Sequence, residues 1–122
     1  MPKTILITGA TDGIGLETAK MLAKQGHSLL LHGRNKAKLD ALKDQLSDSP
    51  ASLQTYRADL SNLSDAQALA KAIASNHKQL DILINNAGIY RTDTPRLPDG
   101  MDVRFMVNTI APFALTKALL PI

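Results

Sequence analysis

The chain has 122 residues, 44% of them hydrophobic, and a formal net charge of +3. That length gives one domain with a real core, expected to span residues 1–122. Its basic residues are spread along helical segments apart from a cluster at 34–43, and two tyrosines with two phenylalanines leave little to stack on bases, so a nucleic-acid partner is not expected. No apolar run approaches membrane-spanning length, and the N-terminus passes into a strand without a signal-peptide pattern, so the chain reads as cytoplasmic with no membrane partner. Absence of cysteine excludes disulfides and cysteine catalysis. His27, His32 and His77 are scattered without ligand spacing, so no metal site is expected.

The first stretch, residues 4–15, organises the rest. Ile5, Leu6 and Ile7 form a short apolar run of the kind that marks a strand buried on both faces, and a glycine cluster ends it. Leu16, Ala19, Leu22 and Ala23 then fall at helical spacing, which gives strand, tight turn and helix. Gly9 can take the backbone angles the sharp exit needs, Gly13 would let a ligand approach the backbone, and Gly15 would let the helix pack closely. The first N–H groups of that helix, unpaired donors at the positive end of its dipole, make a site for a pyrophosphate. No Gly-Lys-Ser/Thr follows, which speaks against a nucleoside-triphosphate loop.

The first helix should end near Gln25, before Gly26. A second strand at 28–32 repeats the apolar signature in Leu29, Leu30 and Leu31, and Gly33, Arg34 and Asn35 follow it. In dinucleotide folds an acidic residue about 20 positions beyond the glycine turn accepts hydrogen bonds from the adenosine ribose. Here Gly33 and Arg34 stand in that place. An acid would repel a 2′-phosphate, whereas a guanidinium offers it a matching fork, so the sequence favours NADP over NAD, with Lys36 and Lys38 adding positive potential.

The second helix, 36–46, carries Leu39, Leu42 and Leu46 on one face, and residues 47–50 close it. A third strand at 52–58 mixes polar and apolar residues as an edge strand does, and ends in Asp59 and Leu60. Ser64 with Gln67 forms a capping box for a third helix, whose apolar stripe is Leu63, Ala66, Leu69, Ala70 and Ile73. A fourth buried strand around Ile82, Leu83 and Ile84 closes in Asn85, Asn86, Ala87 and Gly88. Residues 89–100, with Pro95 and Pro98, read as a surface loop. The last segment, 101–121, reads as a helix bent by Pro112, with Phe105, Met106, Ile110, Phe113, Leu115 and Leu119 as its apolar positions.

Thr8-Gly9-Ala10-Thr11-Asp12-Gly13-Ile14-Gly15 resembles the cofactor motif of the short-chain dehydrogenase/reductase family, and Asn85-Asn86-Ala87-Gly88 resembles its second signature. The resemblance runs from Thr4 to Leu120 and covers the first half of the family's usual length. It implies an NADP-dependent oxidoreductase that interconverts an alcohol and a carbonyl, acting on a small molecule and assembling as a homo-oligomer. Implied cofactor contacts are Gly9, Thr11, Asp12, Gly13, Ile14 and Gly15 in the turn, Arg34 and Asn35 after the second strand, and Asn86, Ala87 and Gly88 beside the ribose. Asp59 would accept from the adenine amine, and Leu60 would offer its backbone amide. The stretch from Phe105 to Thr116 resembles that around the family's catalytic asparagine, which maps onto Asn108 and in relatives holds a water in a proton relay. Many NADP-preferring relatives carry a basic residue before the second motif glycine, where this chain has Asp12, so the preference rests mainly on Arg34.

The family's chemistry also uses a serine and a Tyr-x-x-x-Lys. Here Tyr56 is followed four places on by Leu60 and Tyr90 by Thr94. The expected fold is a Rossmann-type α/β parallel sheet in the order 3-2-1-4 with helices on both faces, truncated after the fourth strand-helix unit, with its crevice between strands 1 and 4. In that arrangement the fourth strand is a bare apolar edge. Two other readings stay open: a non-catalytic NADP-binding or regulatory module, and a nucleotide-independent α/β interaction domain whose glycines serve packing.

Overall fold

The computed structural model describes residues 2–89 and 92–122; Met1, Tyr90 and Arg91 lie outside it, and with them that part of the expected 89–100 loop. Four strands, β1 (Thr4–Ile7), β2 (Ser28–Gly33), β3 (Ser52–Arg57) and β4 (Ile82–Ile84), form one sheet in the order β3-β2-β1-β4. Every pairing is parallel, with Leu6 opposite both Leu30 and Leu83. Helices α1 (Gly13–Lys24), α2 (Lys36–Gln45) and α3 (Leu63–Asn76) connect the strands. After β4 the chain makes a short α4 (Val103–Phe105), a π-helical turn (Met106–Ile110) and α5 (Ala111–Leu119).

Apolar runs in β1 and β2 are continuous because both faces of these strands are covered, and successive side chains alternate between the faces. Ile5, Ile7, Leu29 and Leu31 join Ala19 and Ala23 of α1 and Leu39 and Leu42 of α2 in one core. Leu6 and Leu30 point the other way, into a core shared with Ala66, Leu69 and Ile73 of α3 and Leu115 and Leu119 of α5. The strand order reverses beside β1, where β2 lies on one side and β4 on the other. A crevice opens at such a reversal, at the carboxyl ends of the strands.

Several local expectations change. Helix α3 starts at Leu63, and its cap is the Asn62 side chain, which accepts from the Asp65 N–H; the Ser64 and Gln67 box does not form. Asp65 instead accepts the Asp59 N–H at 2.9 Å, which anchors the end of β3 to α3. Leu63 consequently lies outside the stripe and is exposed. Strand β4 has three residues and is half-exposed rather than buried, because among the described residues β1 is its one partner.

The final helix is not a single bent rod. The Ala111 N–H donates to the Met106 carbonyl, five residues back, and Pro112 sits in the first turn of α5. Proline has no N–H to donate within a helix, and the chain widens in the turn just before it. The widening re-phases the apolar stripe: Met106, Val107, Ala111, Leu115 and Leu119 are buried, while Phe105 and Phe113 turn to the surface.

Candidate cofactor site

The turn between β1 and α1 is held from behind through its successive N–H groups. That of Thr8 donates to the Ile84 carbonyl at 3.1 Å, and that of Ala10 to the His32 carbonyl at 2.8 Å. Between them the Gly9 N–H donates to His32 Nδ1 at 3.1 Å. Gly9 takes φ +66°, and a Cβ there would come within 2.8 Å of the Ala87 backbone. Gly13, at φ +57°, has no atom within 4 Å of the place its Cβ would fill. The first glycine therefore serves a tight backbone crossing, and the second leaves open space in front of the helix.

Helix α1 begins uncapped. Asp12 is its N-cap residue, but its side chain makes no cap hydrogen bond, in contrast to Asn35 on α2 and Asn62 on α3. The Asp12 carboxylate pairs instead with Lys38 Nζ at 3.1 Å, between two exposed side chains. Among the described residues the N–H groups of Gly13, Ile14 and Gly15 have no protein acceptor. Three donors at a helix N-terminus with open space ahead of them fit an anion.

The first two of those residues, Gly13 and Ile14, edge a cleft of about 480 Å³. Of the expected residues, Gly9, Thr11, Asp12, Gly13, Ile14, Arg34, Asn35, Asp59, Leu60, Asn86, Ala87 and Gly88 line it. Gly15 lies behind the turn, where a Cβ would strike the Gly9 carbonyl and the Asn86 side-chain amide. Asn108 also stands outside the lining, which Val107 enters instead. The Asn108 amide is engaged at both ends with one residue: Oδ1 accepts the Ile89 N–H and Nδ2 donates to the Ile89 carbonyl, each at 2.8 Å.

The Asn86 side chain donates to the Thr8 and Gly9 carbonyls at 3.2 and 3.1 Å, and the buried Thr8 hydroxyl accepts the N–H groups of Asn86 and Ala87, both at 3.0 Å. Asn85 turns away and donates to the Thr116 hydroxyl of α5 at 3.0 Å. One of the two amides thus ties β4 to β1, and the other ties it to a helix.

At the far end of the cleft, Asp59 Oδ1 accepts from the N–H and hydroxyl of Ser61 at 3.0 and 2.7 Å. Partial burial raises the Asp59 pKa, but the Ser61 bonds and the charges of Arg34 and Arg57 outweigh it and hold the carboxyl below its ordinary value. The Arg34 side chain is exposed at the rim and makes no ion pair among the described residues.

Sequence reasoning set His32 aside, yet it lines the cleft at 3% exposure. Its Nε2 donates to the Ala58 carbonyl at 2.9 Å while Nδ1 accepts from Gly9. Burial pushes its pKa down, against the opposing effects of the Ala58 bond and the Asp59 charge. Its sequence signal was its place at the end of an apolar strand, where a polar residue needs partners. Tyr56 lies away from the cleft, with its hydroxyl 3.0 Å from His77 Nε2. Among the described residues no three or more His, Cys, Asp or Glu side chains cluster as metal ligands, and no helix is long and apolar enough to cross a membrane.

The family model for short chain dehydrogenases matches residues 3–122, and the chain belongs to that family of oxidoreductases. It is 38% identical to the short chain dehydrogenase rstn4 of Aspergillus nomiae, over 98% of this chain and 33% of that protein. The solved short-chain dehydrogenase from Sphingobium yanoikuyae in complex with NADPH superposes with a TM-score of 0.84 at 35% identity, covering 99% of this chain and 48% of that one. The NADH-dependent reductase A1-R′ responsible for alginate metabolism superposes with a TM-score of 0.82 at 31% identity, over 98% of this chain and 50% of that one. The chain therefore spans about a third of the length of the curated relative and about half of the solved structures.

Proposed function

We propose that residues 1–122 form the dinucleotide-binding domain of an NADP-dependent short-chain dehydrogenase that interconverts an alcohol and a carbonyl. The observation that carries this reading is the bare first turn of α1, open to a cleft whose opposite rim holds Arg34. The N–H groups of Gly13, Ile14 and Gly15 would bind the diphosphate, Arg34 the 2′-phosphate, and Asp59 with the Leu60 amide the adenine. The backbone of residues 86–88 would run beside the second ribose. A nicotinamide cofactor supplies the hydride when bound, and the protein supplies position and electrostatics. Similarity to an NADPH complex supports the cofactor class, and the NADH-dependent relative marks the alternative.

The geometry also suggests how Asn108 would act. It stands in the π-helical turn, and Ile89 fixes its side-chain amide at both ends. With that amide engaged, Asn108 would hold a relay water through its main-chain carbonyl. Fluorescence titration with NADPH and NADH tests the reading: tight NADPH binding without turnover is expected of these residues, and silence with both nucleotides would leave a nucleotide-independent interaction domain.

A second reading, a non-catalytic NADP-binding module, would use the same cleft in the same way. A serine and a Tyr-x-x-x-Lys encoded downstream of Ile122 would decide for the enzyme.

A further inference from the structure

We propose that His32 is the positioning residue of this cleft, and that a second proton on its ring releases the glycine turn and weakens dinucleotide binding. The inference rests on the cofactor reading above and adds a control to the same site. Gly9 N–H can only donate and the Ala58 carbonyl can only accept, so the two contacts at 3.1 and 2.9 Å require a lone pair on Nδ1 and a proton on Nε2. Only the neutral Nε2–H tautomer satisfies both. The same residue takes the Ala10 N–H on its carbonyl, so His32 holds two consecutive amides of the turn, one with its side chain and one with its backbone.

A second proton must go to Nδ1, where it would face the Gly9 N–H, donor against donor. Gly9 would then have to shift, and it has no slack on its other side, because it lies against the Ala87 backbone. Displacement would pass to both walls of the cleft: the N–H groups opening α1 and the segment 86–88.

The charged group that acts on the ring is Asp59, beyond the end of β3; Arg34 after β2, Lys38 on α2 and Asp12 in the turn line the same cleft, and Arg57 on β3 acts with Arg34 on Asp59. Asp59 favours the cation, and burial of the ring opposes it more strongly. A cation would also attract an anionic ligand, but a displaced turn no longer presents the cradle that receives one. The loss of the cradle therefore sets the sign.

The test has two arms. In the first, ring nitrogens and the Gly9 amide of the ligand-free chain are followed by 15N NMR from about pH 8 down to about pH 4.5, a range carried below that of an ordinary histidine because burial lowers the pKa of this ring. The ring should be the Nε2–H tautomer at the upper end, and the Gly9 amide should move with the same midpoint as the ring. In the second, NADH and NADPH affinities are measured over the same range for wild type, His32→Asn and His32→Phe. NADH is included because a 2′-phosphate itself takes up a proton near pH ~6.

Wild type should lose NADH affinity roughly tenfold on acidification, the scale of one lost hydrogen bond. His32→Asn, which keeps an acceptor near the Nδ1 position and cannot titrate, should retain affinity and lose the pH dependence, and His32→Phe should bind weakly throughout. A Gly9 amide blind to the ring titration, an equal pH slope in His32→Asn, or tighter binding at low pH would overturn the proposal. If neither nucleotide binds at about pH 8, the cofactor reading fails and the affinity claim with it, while the NMR arm separately reads whether the ring holds the turn.

Discussion

Arg34 and Asp12 set the charge at the mouth of the cleft, and they act in opposite directions. Lys38 neutralises Asp12 across 3.1 Å, which leaves Arg34 as the rim cation without an ion pair among the described residues. Arg34→Asp should therefore weaken NADPH binding by about 1.5–3 kcal/mol, the range for a charged hydrogen bond, and leave NADH binding no weaker, since an acid there can accept from the ribose. Isothermal calorimetry with both nucleotides checks it, and an unaltered NADPH affinity would remove Arg34 from the site. The residues legible in the sequence were those whose chemistry is local: glycines at a turn, a basic residue after a strand, two amides before a glycine. His32 was not legible, because its partners lie 23 and 26 residues away and only the folded sheet brings them to one ring. Thr8 was legible as the first residue of the glycine motif, but its tie to Asn86 and Ala87 was not, for the same reason, its bonds spanning 78 and 79 residues.

Among the elements, β1 and β2 could be read from the sequence as continuous apolar runs, since both their faces are buried, and α2 from leucines at helical spacing on its buried face. The start of α3 could not, since Asn62 and Ser64 are both good caps and the sequence offers no local basis for choosing. Tertiary structure decides: Asp65 is needed to anchor the Asp59 N–H, which places it three residues after Asn62. Asn62→Ala should thus cost about 1 kcal/mol in urea denaturation, a usual cap loss. Ser64→Ala should stay within about 0.5 kcal/mol, as an exposed substitution does. Equal costs would restore the Ser64 cap. The exposed Phe105 and Phe113 were misread because a π-helical turn adds a residue to the repeat, and periodicity cannot show that.

For the whole molecule, two consequences follow from what is buried and what is not. His32 has a folded-state pKa below its ordinary 6.5, so under that pH the unfolded chain binds the proton first. Stability is fully present above about pH 6.5 and falls as the pH drops toward the folded value, and thermal melts should show a loss in wild type that His32→Asn lacks. The second concerns the β4 edge, where Ile82 is 42% exposed, and the surface aromatics, with Phe113 at 67%. An unpaired apolar edge invites pairing with another strand, so light scattering of the 122-residue chain should show self-association that Ile82→Lys reduces. A monodisperse wild-type monomer would count against it.

The cross-tie of Thr8, Gly9, Asn86 and Ala87 carries a kinetic consequence. It welds the two sides of the notch into one unit before any nucleotide arrives. Loading is then a single encounter with no gate to wait for, and stopped-flow traces should give an observed rate that climbs in a straight line with nucleotide concentration and never reaches a plateau.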